Sequence, residues 1–294
     1  MSHAAPPCLL HGAVQGTLPP QSRVGYGAAL RVDGQPADRA TLRDPDLARQ
    51  VLRRAVAEGA MLLDTADSYG PALSEELVAE ALHPYPAGLL LATKGGVQRL
   101  GAAGTRLNGR PAHLRAACEA SLRRLRVEAI GLYQLHWPDP EVPWAEQIGA
   151  LAALRQAGLV REIGLCNVTA AELRAAVRLA PIAAVQGRFG LADQAGAGLA
   201  AACAELGVAF IAYGSLAVLR QPAARAALAA AAGPHGATAA QLALAGVLAA
   251  APRALAVPGT LRLGHLLENM AAHRLIPGEA QAATLAGLVA AAAA

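Results

Sequence analysis

Four polar side chains in the first half of the chain have the chemistry of a proton-transfer site. They are Asp64, Tyr69, Lys94 and His136, and three of the four directly follow short apolar runs. An ammonium beside a phenol stabilises the phenolate and lowers the pKa of the phenol, and a carboxylate keeps that ammonium charged and oriented. An imidazole beside the phenol can polarise a carbonyl oxygen as negative charge develops on it. We therefore predict a site that protonates the oxygen of a carbonyl group.

The same set lacks the groups that other chemistries require. It contains no activated serine or cysteine nucleophile and no spacing typical of metal ligands, so no metal is predicted. Asp67 and Asp139 could join two of the four residues around a metal ion, but the ammonium of Lys94 would oppose a cation. The hydride that completes the reduction of a carbonyl group must then come from a donor outside this set of side chains.

The elements that position these side chains alternate along the chain. Short apolar runs suited to buried parallel strands are separated by amphipathic segments with helix-start signals such as Asp44-Pro45 and Thr169-x-x-Glu172. The eight predicted strands are 24–28, 61–63, 89–93, 130–135, 161–165, 183–186, 208–212 and 254–257. Two Ala-rich stretches, 223–232 and 238–251, predict two helices between the last two strands. This alternation indicates an α/β fold, a single (β/α)8 TIM barrel over residues 21–294 with extra C-terminal helices, rather than two doubly wound halves.

Composition narrows the class of protein further. The chain has 294 residues, of which 54% are hydrophobic and 16% charged, and this excludes a disordered chain. No apolar stretch reaches the roughly 18 residues of a membrane span, and the dispersed arginines behind the net charge of +4 form no nucleic-acid-binding stripe. Four cysteines without a C-x-x-C pair favour a reducing cytoplasm. Residues 1–20 contain several prolines and no basic region, so we predict a loose leader rather than a secretory signal.

Aromatic residues are scarce, at 3% of the chain, and most of them fall at or just beyond the predicted strand ends. The chemistry of a barrel of this kind lies at the C-terminal ends of its strands. We therefore predict that Tyr26, Trp137 and Trp144 line the substrate pocket, while Ala, Leu and Val fill the barrel.

The sequence resembles the aldo-keto reductase family over nearly the whole chain, most specifically around Asp64, Tyr69, Lys94 and His136. The segment LDTADSYG at 63–70 resembles the family signature D-T-A-x-x-Y-G, ATK at 92–94 its lysine strand, and LYQLHWP at 132–138 its histidine strand. The resemblance implies a (β/α)8 reductase that uses NAD(P)H, with Tyr69 as general acid, Lys94 and Asp64 tuning it, and His136 orienting the carbonyl. A weaker resemblance, at 23–28 and 36–39, is to bacterial relatives that reduce pyridoxal.

The resemblance also implies residues that bind the nicotinamide. The segment IGLCN at 163–167 is similar to the family's I-G-V-S-N, so Asn167 is expected to bind the carboxamide. Cys166 stands where the family has serine, and a thiol forms weaker hydrogen bonds than a hydroxyl. Gln186 matches the glutamine that reaches the same carboxamide, and Tyr213 the aromatic residue on which the nicotinamide ring stacks.

Near the C-terminus, a second segment is similar to the segment of family members that binds the adenosine phosphates. It comprises 257–260 together with Glu268 and Asn269, but Gly259 and His265 replace the family's usual lysine and arginine. Arg262 is the nearest cation for a 2′-phosphate, and the backbone at Gly259 and Thr260 suits a phosphate in any case. We predict NADPH as the cofactor, with NADH as the alternative.

Two alternatives come from other classes of protein. The segment GAGLAA at 196–201 fits a dinucleotide-binding pattern, but it does not directly follow a strand and lacks an acidic residue about 20 positions on. An NADP-binding, reductase-like regulatory subunit with little turnover is the other, and the intact set of four residues argues against it. We predict a small-molecule carbonyl substrate in biosynthesis, no nucleic-acid or membrane partner, and a monomer or weak homo-oligomer.

Overall fold

Eight short parallel strands form the central sheet. The computed structural model describes residues 9–29, 31–32, 35–36, 42, 44–100, 104–193, 195–275 and 279–293. The strands are β1 Tyr26–Gly27, β2 Leu62–Asp64, β3 Leu90–Gly95, β4 Ile130–Leu135, β5 Val160–Cys166, β6 Ile182–Arg188, β7 Ala209–Tyr213 and β8 Ala254–Ala256. Each strand pairs with the next one along the chain, and a parallel bridge between Val24 and Ala256 closes the sheet into a barrel. The predicted (β/α)8 barrel is confirmed, and every predicted strand overlaps an observed one.

Helices surround this barrel and connect its strands. Those in the described part of the chain are α1 Leu9–Gln15, α2 Pro45–Ala57, α3 Leu73–Leu82, α4 Pro111–Leu125, α5 Trp144–Gln156, α6 Ala170–Ala176, α7 Ala197–Leu206, α8 Pro222–Ala232, α9 Ala239–Ala250, α10 Leu263–Ala271 and α11 Glu279–Ala293. Asp44 caps α2 by accepting a hydrogen bond from the Leu47 N–H at 2.8 Å, and capping boxes at Thr169 and Thr238 begin α6 and α9. The predicted start signals and the two Ala-rich helices are confirmed. No helix of the described ranges has both the length and the apolarity that crossing a membrane requires.

Two hydrophobic clusters hold these layers together. The larger one fills the space between the strands and the surrounding helices. The smaller one fills the barrel interior with small and medium side chains, among them Leu62, Ala92, Leu132, Ala184 and Leu255. Alternate residues of a strand face opposite sides, so β2, β3, β4, β6, β7 and β8 contribute residues to both clusters.

The chain before β1 differs from the loose leader that composition predicts. Leu9, Leu10 and Ala13 of α1 are buried and belong to the interior cluster. Val14 shares a cavity with residues 208 and 253, which directly precede β7 and β8, so α1 covers the N-terminal end of the barrel. The leader prediction is therefore wrong for residues 9–15, because the prolines at 19 and 20 follow the helix instead of interrupting it. Residues 1–8 lie outside the described residues, as do residues 37–39 of the weak pyridoxal-reductase resemblance.

Close backbone contact between β1 and the chain after β8 positions the predicted phosphate-binding segment. A Cβ added to Gly27 would lie 2.6 Å from the carbonyl oxygen of Val257, and one added to Gly259 would overlap the carbonyl oxygen of Gly27. The Tyr26 hydroxyl donates a hydrogen bond to the carbonyl oxygen of Thr260 at 2.6 Å. Glycine is required at both positions because no side chain fits between the two backbones.

Candidate active site

A buried ion pair lies at the C-terminal ends of β2 and β3. The Lys94 Nζ donates hydrogen bonds to Asp64 Oδ2 at 2.6 Å and to the carbonyl oxygen of Thr65 at 2.8 Å. The other carboxylate oxygen of Asp64 accepts from Gln134 Nε2 at 3.2 Å. Burial opposes the charge on Lys94, but the charge of Asp64 and then the contact with Tyr69 outweigh it and raise the pKa of the lysine. The ammonium is therefore fully charged at neutral pH.

Tyr69 reaches the same ammonium from the loop between β2 and α3. Its hydroxyl oxygen accepts from Lys94 Nζ at 3.3 Å, and Nζ lies 5.0 Å from the centre of the phenol ring. Burial raises the pKa of the Tyr69 phenol, and the charge of Lys94 opposes that increase. The expected lowering of this pKa is wrong in its net direction, because burial has a larger effect than the ammonium.

His136 lies beside Tyr69 at the end of β4. The two rings meet edge to face, with their centres 5.7 Å apart. The backbone N–H of His136 donates to the carbonyl oxygen of Gly95 at 2.9 Å, and its own carbonyl oxygen accepts from Asn167 Nδ2 at 3.0 Å. Burial, followed by the charges of Lys94 and Arg99, lowers the pKa of His136 to about 3. The imidazole is therefore neutral at pH 7.

The structure thus brings together all four residues that the sequence predicts for the reacting centre. The described residues contain no group of three or more His, Cys, Asp or Glu side chains that could hold a metal ion. Sequence reasoning missed Gln134, although a polar residue in the middle of an apolar run is a usable signal. It also missed Ser68, which contacts His136, and Arg99, whose Nε donates to the carbonyl oxygen of Ser68 at 3.2 Å.

A second group of polar side chains surrounds the ends of β5, β6 and β7. The Tyr213 hydroxyl donates to Asn167 Oδ1 at 2.6 Å, and Asn167 Nδ2 donates to Cys166 Sγ at 3.1 Å. The Cys166 thiol in turn donates to Gln186 Oε1 at 3.4 Å. Asn167 has a left-handed backbone with φ of 59°, a conformation that asparagine tolerates better than most residues. These contacts fix the four side chains relative to one another.

One donor in this second group is left without a partner. The Nε2 of Gln186 is buried and makes no hydrogen bond within the described residues. A buried amide N–H without an acceptor is costly, so the position suits a ligand with a carbonyl oxygen, such as a carboxamide. Burial raises the pKa of the Cys166 thiol to about 12, which keeps it protonated and available as a donor to Gln186.

The segment after β8 is open to solvent. Gly259, Arg262 and His265 are exposed, and Thr260 is half-buried. The backbone N–H of Arg262 donates to Thr260 Oγ1 at 3.1 Å, and no side chain caps the start of α10. The N-terminal N–H groups of such a helix can bind an anion.

Two other predicted residues of this segment are tied down on α10. Glu268 accepts a hydrogen bond from Thr238 Oγ1 at 3.4 Å, which joins α10 to the start of α9. Asn269 is buried.

The three predicted pocket aromatics differ in their surroundings. Trp137 directly follows His136, and 45% of its side chain is exposed. Trp144 begins α5 and packs, half-buried, against the larger hydrophobic cluster. Tyr26 is only 1% exposed and its hydroxyl is bound to Thr260, so it is a core residue and does not line an open pocket. The prediction for Tyr26 is corrected accordingly.

These features are those of a reductase barrel, and the chain belongs to the aldo/keto reductase family, whose model matches residues 24–286. An uncharacterized oxidoreductase of Schizosaccharomyces pombe is 37% identical over 258 residues, which are 85% of this chain and 81% of the yeast protein. Pyridoxine 4-dehydrogenase of Escherichia coli K12 is 36% identical over 273 residues, covering 91% of this chain and 94% of that protein. A crystal structure of an aldo/keto reductase from Klebsiella pneumoniae with NADP and acetate matches with a TM-score of 0.77 and 26% identity, covering 91% of each chain. The predicted family is confirmed.

Proposed function

We propose that the protein reduces a small aldehyde or ketone to an alcohol with NADPH. The observation that carries this proposal is the position of Lys94 Nζ, 2.6 Å from the carboxylate of Asp64 and 3.3 Å from the hydroxyl of Tyr69. NADPH, when bound, supplies the hydride for the carbonyl carbon. Its NADP form is present in the Klebsiella pneumoniae relative.

The residues of the chain supply and direct the proton. Tyr69 gives the proton of its hydroxyl to the carbonyl oxygen, and the ammonium of Lys94 stabilises the phenolate that remains. Asp64 keeps that ammonium charged and in place. His136 is neutral, and it therefore acts as a hydrogen-bond donor that orients the carbonyl oxygen instead of as an acid.

The cofactor-binding roles divide between the two polar regions described above. Asn167, Gln186 and Cys166 would hold the carboxamide of the nicotinamide, for which Gln186 Nε2 is a free donor, and Tyr213 would supply an aromatic face for the nicotinamide ring. The segment after β8 would hold the phosphates, through the backbone at Gly259 and Thr260 and the side chains of Arg262 and His265. Glu268 and Asn269 stay predictions for cofactor binding, but the Glu268 carboxylate accepts a hydrogen bond from Thr238 and, as an anion, is not assigned to a phosphate. The exposed guanidinium of Arg262 favours NADPH over NADH, because a 2′-phosphate attracts a cation.

The substrate class follows from the rim of the barrel and from the relatives. Trp137, the residue that follows His136 in the chain, has a 45% exposed aromatic side chain, which suits contact with a flat aromatic aldehyde. The similar Escherichia coli protein is named for pyridoxine, a polar aromatic alcohol. We therefore include polar aromatic aldehydes of the pyridoxal type among the substrates to be tested first. A cytoplasmic location and a role in biosynthesis remain predictions.

The test is a panel of aldehydes and ketones, including pyridoxal, with NADPH oxidation followed by absorbance. We expect turnover by the wild-type protein and a loss of about 10²- to 10⁴-fold in kcat for Tyr69→Phe, since a general acid contributes about that factor. Tyr85→Phe is the matched control, because the Tyr85 hydroxyl donates to the carbonyl oxygen of Leu125 on the helix side of the barrel. NADPH binding without turnover of any compound in the panel would contradict the proposed reductase activity and support the regulatory alternative.

A further inference from the structure

The hydroxyl of Ser68 makes the one hydrogen bond to the ring of His136 that the described residues contain. Ser68 Oγ lies 3.3 Å from Nδ1 of the imidazole. Both side chains are buried, with 4% of Ser68 and 9% of His136 exposed. Ser68 directly precedes Tyr69, so this contact joins the loop that carries the phenol to the strand that carries the imidazole.

The neutral state of His136 makes the position of its single ring proton important. A neutral imidazole carries one N–H, and its other nitrogen is an acceptor. If the proton is on Nε2, this nitrogen can donate to a carbonyl oxygen. If the proton is on Nδ1, the lone pair of Nε2 faces the carbonyl oxygen and repels it. The partner of Nδ1 decides between these two tautomers.

We infer that Ser68 is a positioning residue whose hydroxyl donates a hydrogen bond to Nδ1 of His136. Because Nδ1 then acts as the acceptor, the single ring proton stays on Nε2. The inference rests on the proposed function in one respect. A hydroxyl can donate or accept, and the requirement for a donor toward the carbonyl oxygen selects the arrangement in which Ser68 donates.

The backbone of Ser68 is held so that its hydroxyl stays opposite the ring. The Nε of Arg99, in the hairpin formed by Val97–Arg99 and Thr105–Leu107, donates to the carbonyl oxygen of Ser68 at 3.2 Å. The N–H of the preceding residue, Asp67, donates to the carbonyl oxygen of Lys94 at 3.1 Å. The backbone of His136 is fixed by its contacts with Gly95 and Asn167. The two groups therefore meet between anchored backbones.

The first test is ¹⁵N NMR of the histidine side chains in the wild-type protein at pH 7, because protonated and unprotonated ring nitrogens have different shifts and couplings. His136→Gln assigns the signals. We expect Nε2 of His136 to be protonated and Nδ1 to be unprotonated. A proton on Nδ1 overturns the inference. This result does not depend on turnover, so it stands even if no carbonyl compound proves to be a substrate.

The second test compares variants of Ser68. In Ser68→Ala we expect signals of the other tautomer and a kcat about five- to tenfold lower, the effect of losing one hydrogen bond, with the Kd for NADPH unchanged. Ser68→Cys, which keeps a weaker donor, should give intermediate values. Ser121→Ala is the matched control, since Ser121 is a buried serine on α4 that accepts a hydrogen bond from Arg124. Wild-type ring signals and kcat in Ser68→Ala would show that Ser68 has no such role. If Ser68→Ala fails to fold, the wild-type and Ser68→Cys spectra decide the question.

Discussion

Two polar regions of the barrel differ in whether their charged groups have partners within the chain. The first lies at the ends of β2, β3 and β4, and the second follows β8. In the first region, Lys94 is fully buried and its ammonium contacts a carboxylate, a carbonyl oxygen and a phenol of the same chain. In the second, Arg262 and His265 are exposed, and no carboxylate of the described residues pairs with either. The groups proposed to act on the carbonyl are thus preorganised by folding, whereas the groups proposed to bind phosphates are left available to a ligand. Substitutions should therefore affect folding in the first region and binding in the second.

The largest expected effect is on the stability of the first region. Asp64→Asn removes the charge that balances the buried ammonium of Lys94, and we expect the free energy of unfolding to fall by about 3–5 kcal/mol. Urea denaturation followed by circular dichroism measures this change. The control is Glu205→Gln, which breaks an exposed ion pair with Arg174 and should cost less than about 1 kcal/mol. Equal losses in the two variants would remove the contrast between the regions.

The pH dependence of stability should also originate in the first region. His136 has a pKa of about 3 in the folded protein and an ordinary value of 6.5, so between these values the unfolded chain binds a proton that the folded chain does not. Within this window, His136 makes the free energy of unfolding rise with pH by up to about 1.4 kcal/mol per pH unit. This contribution is lost as the pH falls from 6.5 toward 3. The free energy of unfolding of His136→Gln, measured relative to that of the wild type at the same pH, should be more favourable at pH 4 than at pH 7. Parallel stability curves for the variant and the wild type would contradict a neutral, buried His136.

In the second region, the expected effect is on cofactor affinity. Arg262→Ala should raise the Kd for NADPH about tenfold and leave the Kd for NADH nearly unchanged, because only NADPH carries the 2′-phosphate. Fluorescence titration at two salt concentrations measures both constants. Arg225→Ala, at an exposed position of α8, serves as the control and should change neither. An equal loss of affinity for both cofactors would mean that Arg262 contacts a part that NADPH and NADH share, and not the 2′-phosphate.

The smallest expected effect concerns Cys166. Replacing it with serine substitutes a stronger donor for the thiol that contacts Gln186, and we expect NADPH to bind up to about threefold more tightly without a change in stability beyond about 0.5 kcal/mol. The same titration measures it. Weaker binding in Cys166→Ser would mean that the larger sulfur atom is itself required by the nicotinamide site.

The sequence was sufficient to predict the barrel and the proximity of the four side chains of Asp64, Tyr69, Lys94 and His136, for a physical reason. Parallel strands are buried on both faces, so they are recognisable as continuous apolar runs, and the polar residue that ends each run must lie at a common edge. Asp64, Lys94 and His136 are placed by this rule alone. Tyr69 needs more, because it reaches the site from a loop: the chemistry of a phenol beside an ammonium selected it, and the family signature agrees with that choice.

Other features could not be predicted because they depend on which face a side chain occupies or on the depth of its burial. Tyr26 was expected in the pocket, and the predicted strand 24–28 puts it on one face with Val24 and Ala28, but alternation does not say which face meets the surrounding helices; the structure places all three in the larger cluster. The pKa of Tyr69 was expected to fall because Lys94 was expected beside it, and the opposing effect of burial becomes visible only in three dimensions. The helix α1 is one of the shortest in the fold, with seven residues, and such a helix depends on tertiary packing.

The seam between β1 and β8 also has a consequence for how the protein is made. The contact between Tyr26 and Thr260 spans 234 residues of chain, and the Val24–Ala256 bridge spans a similar distance. On the ribosome, the first strand must therefore wait until β8 has been synthesised before its outer edge is paired. During that interval β1 and the partly assembled sheet present unpaired backbone groups, which invite association with other chains. Chaperone dependence during synthesis should accordingly be greatest for chains that end just before residue 254, and it should fall once the last strand has emerged.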